Sequence, residues 1–83
     1  MKLIGRNAII TGGSQGLGLE IAKYFLKEGA NVAICARNAK TLEEAHSTLK
    51  SYTNENTKLI TVSTDVSKID QVDNLIQKTL EAF

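Results

Sequence analysis

The chain has 83 residues, 42 % of them apolar and 23 % charged, with a formal net charge of +1. That length holds one small globular domain, and the scattered lysines and arginines exclude a basic stripe for nucleic acid or an anionic membrane. No apolar run approaches the roughly 20 residues of a membrane-spanning helix, Gly5 interrupts any signal-peptide core, and the lone Cys35 excludes a disulfide framework, so a soluble cytoplasmic protein is expected.

Asn7 to Thr11 reads as a short buried strand, nearly continuous in apolar residues. A helix is expected over Leu17 to Glu28, with Leu17, Ile21, Ala22, Tyr24 and Phe25 on its inner side and Gly29 at the left-handed position after its end. Asn31 to Ala36 is a second buried strand. The next helix starts near Asn38 or Thr41, where Thr41 and Glu44 fit a capping box, and Leu42, Ala45, Leu49 and Tyr52 form its apolar stripe. The polar cluster Thr53 to Thr57 is a surface loop and Lys58 to Ser63 a third strand. Ser67 is expected to cap a last helix running to Phe83, turning Ile69, Val72, Leu75, Ile76, Leu80 and Phe83 inward. Strands alternating with helices of this length imply an α/β fold with a parallel sheet in the order 3-2-1.

The segment with the most chemical content is Thr11 to Gly18, "TGGSQGLG", on the corner between the first strand and the first helix. Its G-x-x-x-G-x-G spacing lets the backbone turn at Gly12 and come close to a ligand at Gly16, while Gly18 permits close packing of helix on strand. Free N–H groups and the partial positive charge at a helix N-terminus stabilise a diphosphate there. The other reading is a structural turn without a ligand. A P-loop is excluded, because Leu19 and Glu20 follow Gly18 where a lysine and a hydroxyl are required.

"TGGSQGLG", "KEGANVAICARN" and "STDVS" together resemble the short-chain dehydrogenase/reductases over essentially all 83 residues, in the typical rather than the extended branch. The resemblance implies the N-terminal half of a Rossmann-type three-layer fold over residues 1–83, ending before a fourth strand. It implies a cofactor held by Gly12, Ser14, Gln15, Gly16, Leu17, Gly18, Arg37, Asp65 and Val66. Ala36 stands where an NAD-preferring member carries a carboxylate, and Arg37 beside it supplies a fork for a 2′-phosphate. NADP(H) is therefore expected over NAD(H), the other reading of Arg37 being a solvated charge. Gln15 occupies a place that is basic in some NADP-binding members.

Asp65 and Val66 contact the adenine by the resemblance, or else form a strand-end turn. Ser14 either bonds ribose or phosphate or caps the first helix. The family's catalytic tyrosine, with a lysine four residues on, has no counterpart: Glu28 and Asn56 follow Tyr24 and Tyr52 at that distance. No catalytic residue and no metal ligand is assigned. Cys35 reads as a buried inert thiol and His46 as a partly exposed structural residue.

The expected whole protein is an NADP(H)-dependent oxidoreductase interconverting small carbonyls and alcohols, 3-oxoacyl thioesters among them, and a homo-oligomer. The chain shown would be inactive alone, and its first strand an apolar edge prone to self-association. The alternative is a freestanding nucleotide-binding or structural α/β module.

Overall fold

The run Val32-Ala33-Ile34-Cys35 is buried throughout, and a strand apolar on both faces belongs in the middle of a parallel sheet. The computed structural model, which describes residues 3–12 and 14–83, places it there. Along the described residues the order is β1 (Asn7–Thr11), α1 (Gly16–Lys27), β2 (Asn31–Ala36), α2 (Ala39–Leu49), a 3₁₀ turn at Lys50–Tyr52, β3 (Leu59–Ser63) and α3 (Ile69–Ala82). The sheet is parallel with spatial order β3-β2-β1, as expected. Ile34 of β2 lies opposite Ile10 of β1 and Thr61 of β3, which fixes the register. At the entering ends of the strands, Asn31 ties all three together: its Nδ2 donates to Asn7 Oδ1 at 2.9 Å, and its Oδ1 accepts from the Lys58 N–H at 2.8 Å.

Helices cover both faces of this Rossmann-type sheet. Ile10, Val32 and Ile34 point to one face, where Ala22 and Leu26 of α1 and Leu42, Ala45 and Leu49 of α2 close over them. Each fully buried leucine there contributes about 1.5–3 kcal/mol relative to exposure. Cys35 and Val62 point to the other face and meet Leu75 of α3. β1 is an edge strand, and its Ile9 remains exposed.

Four expectations about the helices change. The inner side of α1 is Ala22 and Leu26 with Leu19 and Phe25 against them, whereas Leu17, Ile21 and Tyr24 are exposed. The helix carries two apolar stripes, and the one containing small Ala22 lets it approach the strands. For α2 the cap is Asn38, whose side chain accepts from the N–H groups of Lys40 and Thr41 at 2.8 and 3.3 Å. Thr41 therefore lies inside the first turn and the Thr41–Glu44 capping box does not form. In α3 only Leu75 and Thr79 are buried, while Ile69, Ile76 and Leu80 stay exposed. The apolar stripe is wider than the strip of sheet that α3 covers. Thr79 is tolerated inside because its hydroxyl donates to the Leu75 carbonyl at 2.8 Å. Nor does Ser67 cap α3: the N-cap position is Lys68, without a side-chain bond.

The lesser expectations fare better. Gly29 follows α1 with φ +93°, Cys35 is buried, and β3 starts one residue later than expected, at Leu59. Tyr52 packs on the α1–α2 core with the Lys23 and Lys27 ammonium groups 5.3 and 5.9 Å from its ring centre.

Candidate functional site

Parallel strands that all end on one side leave a crevice outside their carboxyl ends. Here the strand ladder continues one step into each loop: the Gly12 N–H donates to the Cys35 carbonyl at 2.9 Å and the Thr64 N–H to the Ala36 carbonyl at 2.8 Å. The β1–α1 and β3–α3 loops are thereby fastened on either side of the end of β2. Between them lies a cleft of about 520 Å³.

The first wall is backbone. Gly12 leaves β1 with φ +68° and Gly16 begins α1 with φ +56°, conformations that cost an L-residue about 1–2 kcal/mol. A Cβ at either would meet nothing within 4 Å, so glycine is required by the turn and not by packing. Gly13 lies outside the described residues. Gln15, the N-cap, makes no side-chain capping bond, and no acidic residue occupies the first turn of α1. The leading N–H groups of α1 are thus left without an acceptor from the cap, unlike those of α2.

Side chains make the second wall. The Arg37 carbonyl accepts from the Ser63 hydroxyl at 3.2 Å, which pins its backbone to β3. Its guanidinium Nε lies 3.8 Å from Asp65 Oδ2. Asp65 Oδ1 accepts from both the N–H and the hydroxyl of Ser67, at 3.0 and 2.6 Å. The hydroxyl bond and then the N–H bond from Ser67 hold its carboxyl below the usual carboxylate range; burial opposes this, and the charges of Arg37 and Lys68 add to it.

Of the residues expected from the sequence, Gly12, Ser14, Gln15, Arg37 and Val66 line the cleft. Gly16, Leu17 and Gly18 follow in the first turn of α1, and the Leu17 side chain is exposed. Asp65 stands behind Arg37, locked in its own turn with Ser67. Ser14 does not cap α1; its hydroxyl lies 3.4 Å from that of Thr41. The sequence reading missed Asn38, Thr41 and Thr64 as lining residues. Thr41 was the findable one, since a helix starting right after Arg37 turns its third residue back toward the strand ends.

The chemistry this cleft offers is anion binding. Among the described residues its lining holds hydroxyls, amides, Gly12 and one arginine, and no carboxylate, imidazole, phenol or lysine. Burial pushes the Cys35 thiol up, so it stays protonated and unreactive near neutral pH. Among the described residues no group of His, Cys, Asp and Glu is placed to hold a metal ion, and no helix is long and apolar enough to cross a membrane.

Comparison with known proteins converges on one family. The family model described as short chain dehydrogenase matches residues 6–83. The 3-oxoacyl-acyl-carrier-protein reductase of Chlamydia trachomatis is 40 % identical over 81 residues, covering 98 % of this chain and 32 % of that protein. Among solved structures, a short-chain type dehydrogenase/reductase from Mycobacterium marinum superposes with a TM-score of 0.87 at 28 % identity, over 98 % of this chain and 31 % of its own. The L-sorbose reductase of Gluconobacter frateurii, solved with NADPH and L-sorbose, gives a TM-score of 0.87 at 35 % identity, over 100 % of this chain and 32 % of its own. The chain spans about a third of the length of the curated relatives it matches.

Proposed function

This chain belongs to the short chain dehydrogenase family, and from that premise we propose that its cleft holds the adenosine-diphosphate half of NADP(H). One observation carries the reading: the uncapped N-terminus of α1, entered through left-handed glycines, opens on a cleft whose far wall ends in Arg37.

The residues fit such a group. Gly12 and Gly16 keep side chains out of the space beside the turn, and the free N–H groups of the first turn suit a diphosphate. Arg37 is a planar, permanently charged donor for a 2′-phosphate, and the Ser14 and Thr41 hydroxyls line the same cleft and would serve a ribose as hydrogen-bonding partners. Val66, exposed at the rim, offers an apolar surface and a backbone N–H to the adenine. When bound, the dinucleotide supplies hydride transfer. The role of this chain is to bind and orient it.

Residues 1–83 would then be the N-terminal part of one dinucleotide-binding domain, and the whole protein an NADP(H)-dependent oxidoreductase acting on a small carbonyl or alcohol. The Chlamydia relative, by its name, favours a 3-oxoacyl thioester as substrate. A homo-oligomer in the cytoplasm is the accompanying expectation, and the unpaired thiol of Cys35 suits a reducing compartment.

A second reading, a nucleotide-holding module without catalysis, draws support from the described residues that line the cleft, among which no group exchanges protons near neutral pH. Fluorescence titration with NADPH, followed by an assay for NADPH-dependent carbonyl reduction, tests both. Binding with turnover supports the enzyme and binding without turnover the module, while no saturable binding at millimolar cofactor overturns both.

A further inference from the structure

The pair formed by Arg37 and Asp65 joins two residues that the sequence reading assigned to separate duties. The two partners are not equally free. Asp65 is held on three sides: Oδ1 accepts from the N–H and hydroxyl of Ser67 at 3.0 and 2.6 Å, and its own N–H donates to Gln71 Oε1 at 2.7 Å. Its side chain is 22 % exposed, against 82 % for Arg37. The carboxylate is therefore a fixed anion behind Arg37, and the guanidinium is the exposed member, with Nε 3.8 Å from Oδ2.

Any phosphate that recruits Arg37 must draw it from this anion and then sit close to the same negative charge. A ligand with a free hydroxyl at that position meets neither cost. We propose that Asp65 is a positioning residue that restrains Arg37 and so limits how strongly the cleft prefers a 2′-phosphorylated adenine nucleotide over its unphosphorylated counterpart. The proposal rests on the nucleotide reading of the cleft and deepens it. It gives Asp65 a role separable from any contact with the base, because both kinds of ligand carry the same adenine.

The test uses the protein as its gene encodes it and two probes, 2′,5′-ADP and 5′-AMP, titrated calorimetrically. Asp65→Asn removes the charge and keeps an oxygen that accepts from Ser67. The ratio of affinities, 2′,5′-ADP over 5′-AMP, is expected to rise about twofold to fivefold, the upper range of an exposed ion pair. In an Arg37→Ala background the same substitution is expected to change the ratio less than about twofold, because the effect acts through the arginine. If Asp65→Asn fails to fold, judged by its circular dichroism, Asp65→Ser carries the same comparison. A ratio that stays level or falls on removing the charge overturns the proposal, as does a full-sized rise without Arg37. A wild-type protein that binds neither probe overturns the nucleotide reading itself, which keeps the two failures distinguishable.

Discussion

The two walls of the cleft are built by different means. The β1–α1 wall is backbone: left-handed glycines, a helix end with no cap and no charged side chain. The β2–β3 wall is side chain: Asn38 spends its carboxamide oxygen capping α2, Arg37 leans on Asp65, and Asp65 is bound by Ser67. A backbone wall suits the invariant part of a ligand, a diphosphate, because its N–H groups survive every substitution except proline. A side-chain wall suits the part that varies, and on the proposed reading it would tell a 2′-phosphorylated nucleotide from its unphosphorylated counterpart.

Substitutions that break this contrast should rank in size. Gly16→Val, or Gly12→Val, imposes a β-branched residue on a positive φ and puts methyl groups into the space beside the turn. NADPH affinity is expected to fall at least about tenfold with NADH affinity falling in parallel, while circular dichroism shows the fold retained; the backbone strain alone accounts for about 1–2 kcal/mol. Arg37→Ala should do something different in kind. NADPH affinity drops about tenfold, as for loss of a charged hydrogen-bonding partner, and NADH affinity barely moves.

A smaller effect sharpens the asymmetry of the helix ends. Asn38→Ala removes a formed cap and should lower stability by about 1 kcal/mol in urea denaturation. Gln15→Ala, at an end with no side-chain cap, should stay within about 0.5 kcal/mol of wild type. The smallest effect concerns pH. Because the Asp65 carboxyl titrates below its ordinary range in the folded chain, its bonds with Ser67 contribute stability above the unfolded-chain value. That contribution is lost as pH falls through the depressed folded value. The stability difference between wild type and Asp65→Asn is thus expected to be present at neutral pH and to vanish in the acid range.

The same contrast explains what the sequence made legible. The strand order, the glycine corner and the burial of Cys35 follow from local patterns: apolar runs, glycine spacing and alternation of elements. The choice of face for α1 did not, because Leu17-Ile21-Tyr24 and Leu19-Ala22-Leu26 are both apolar stripes and only the packing distance to the sheet selects between them. Asn38 and Thr41 are both competent caps, and the end of β2 decided which one sits at the boundary. The Arg37–Asp65 pair and the Ser14–Thr41 approach join loops distant in sequence, so nothing local announces them.

The central claim, that the uncapped end of α1 and Arg37 hold an NADP(H) molecule between them, is tested most directly by following each backbone amide during a titration. Nitrogen–proton NMR spectra of the protein with increasing NADPH should show saturable shifts concentrated at Gly12, Gly16 to Gly18, Arg37 and Val66. With NADH, the shifts at Arg37 should be the ones that shrink. Saturable shifts centred elsewhere, or none at any of these amides, would contradict the account.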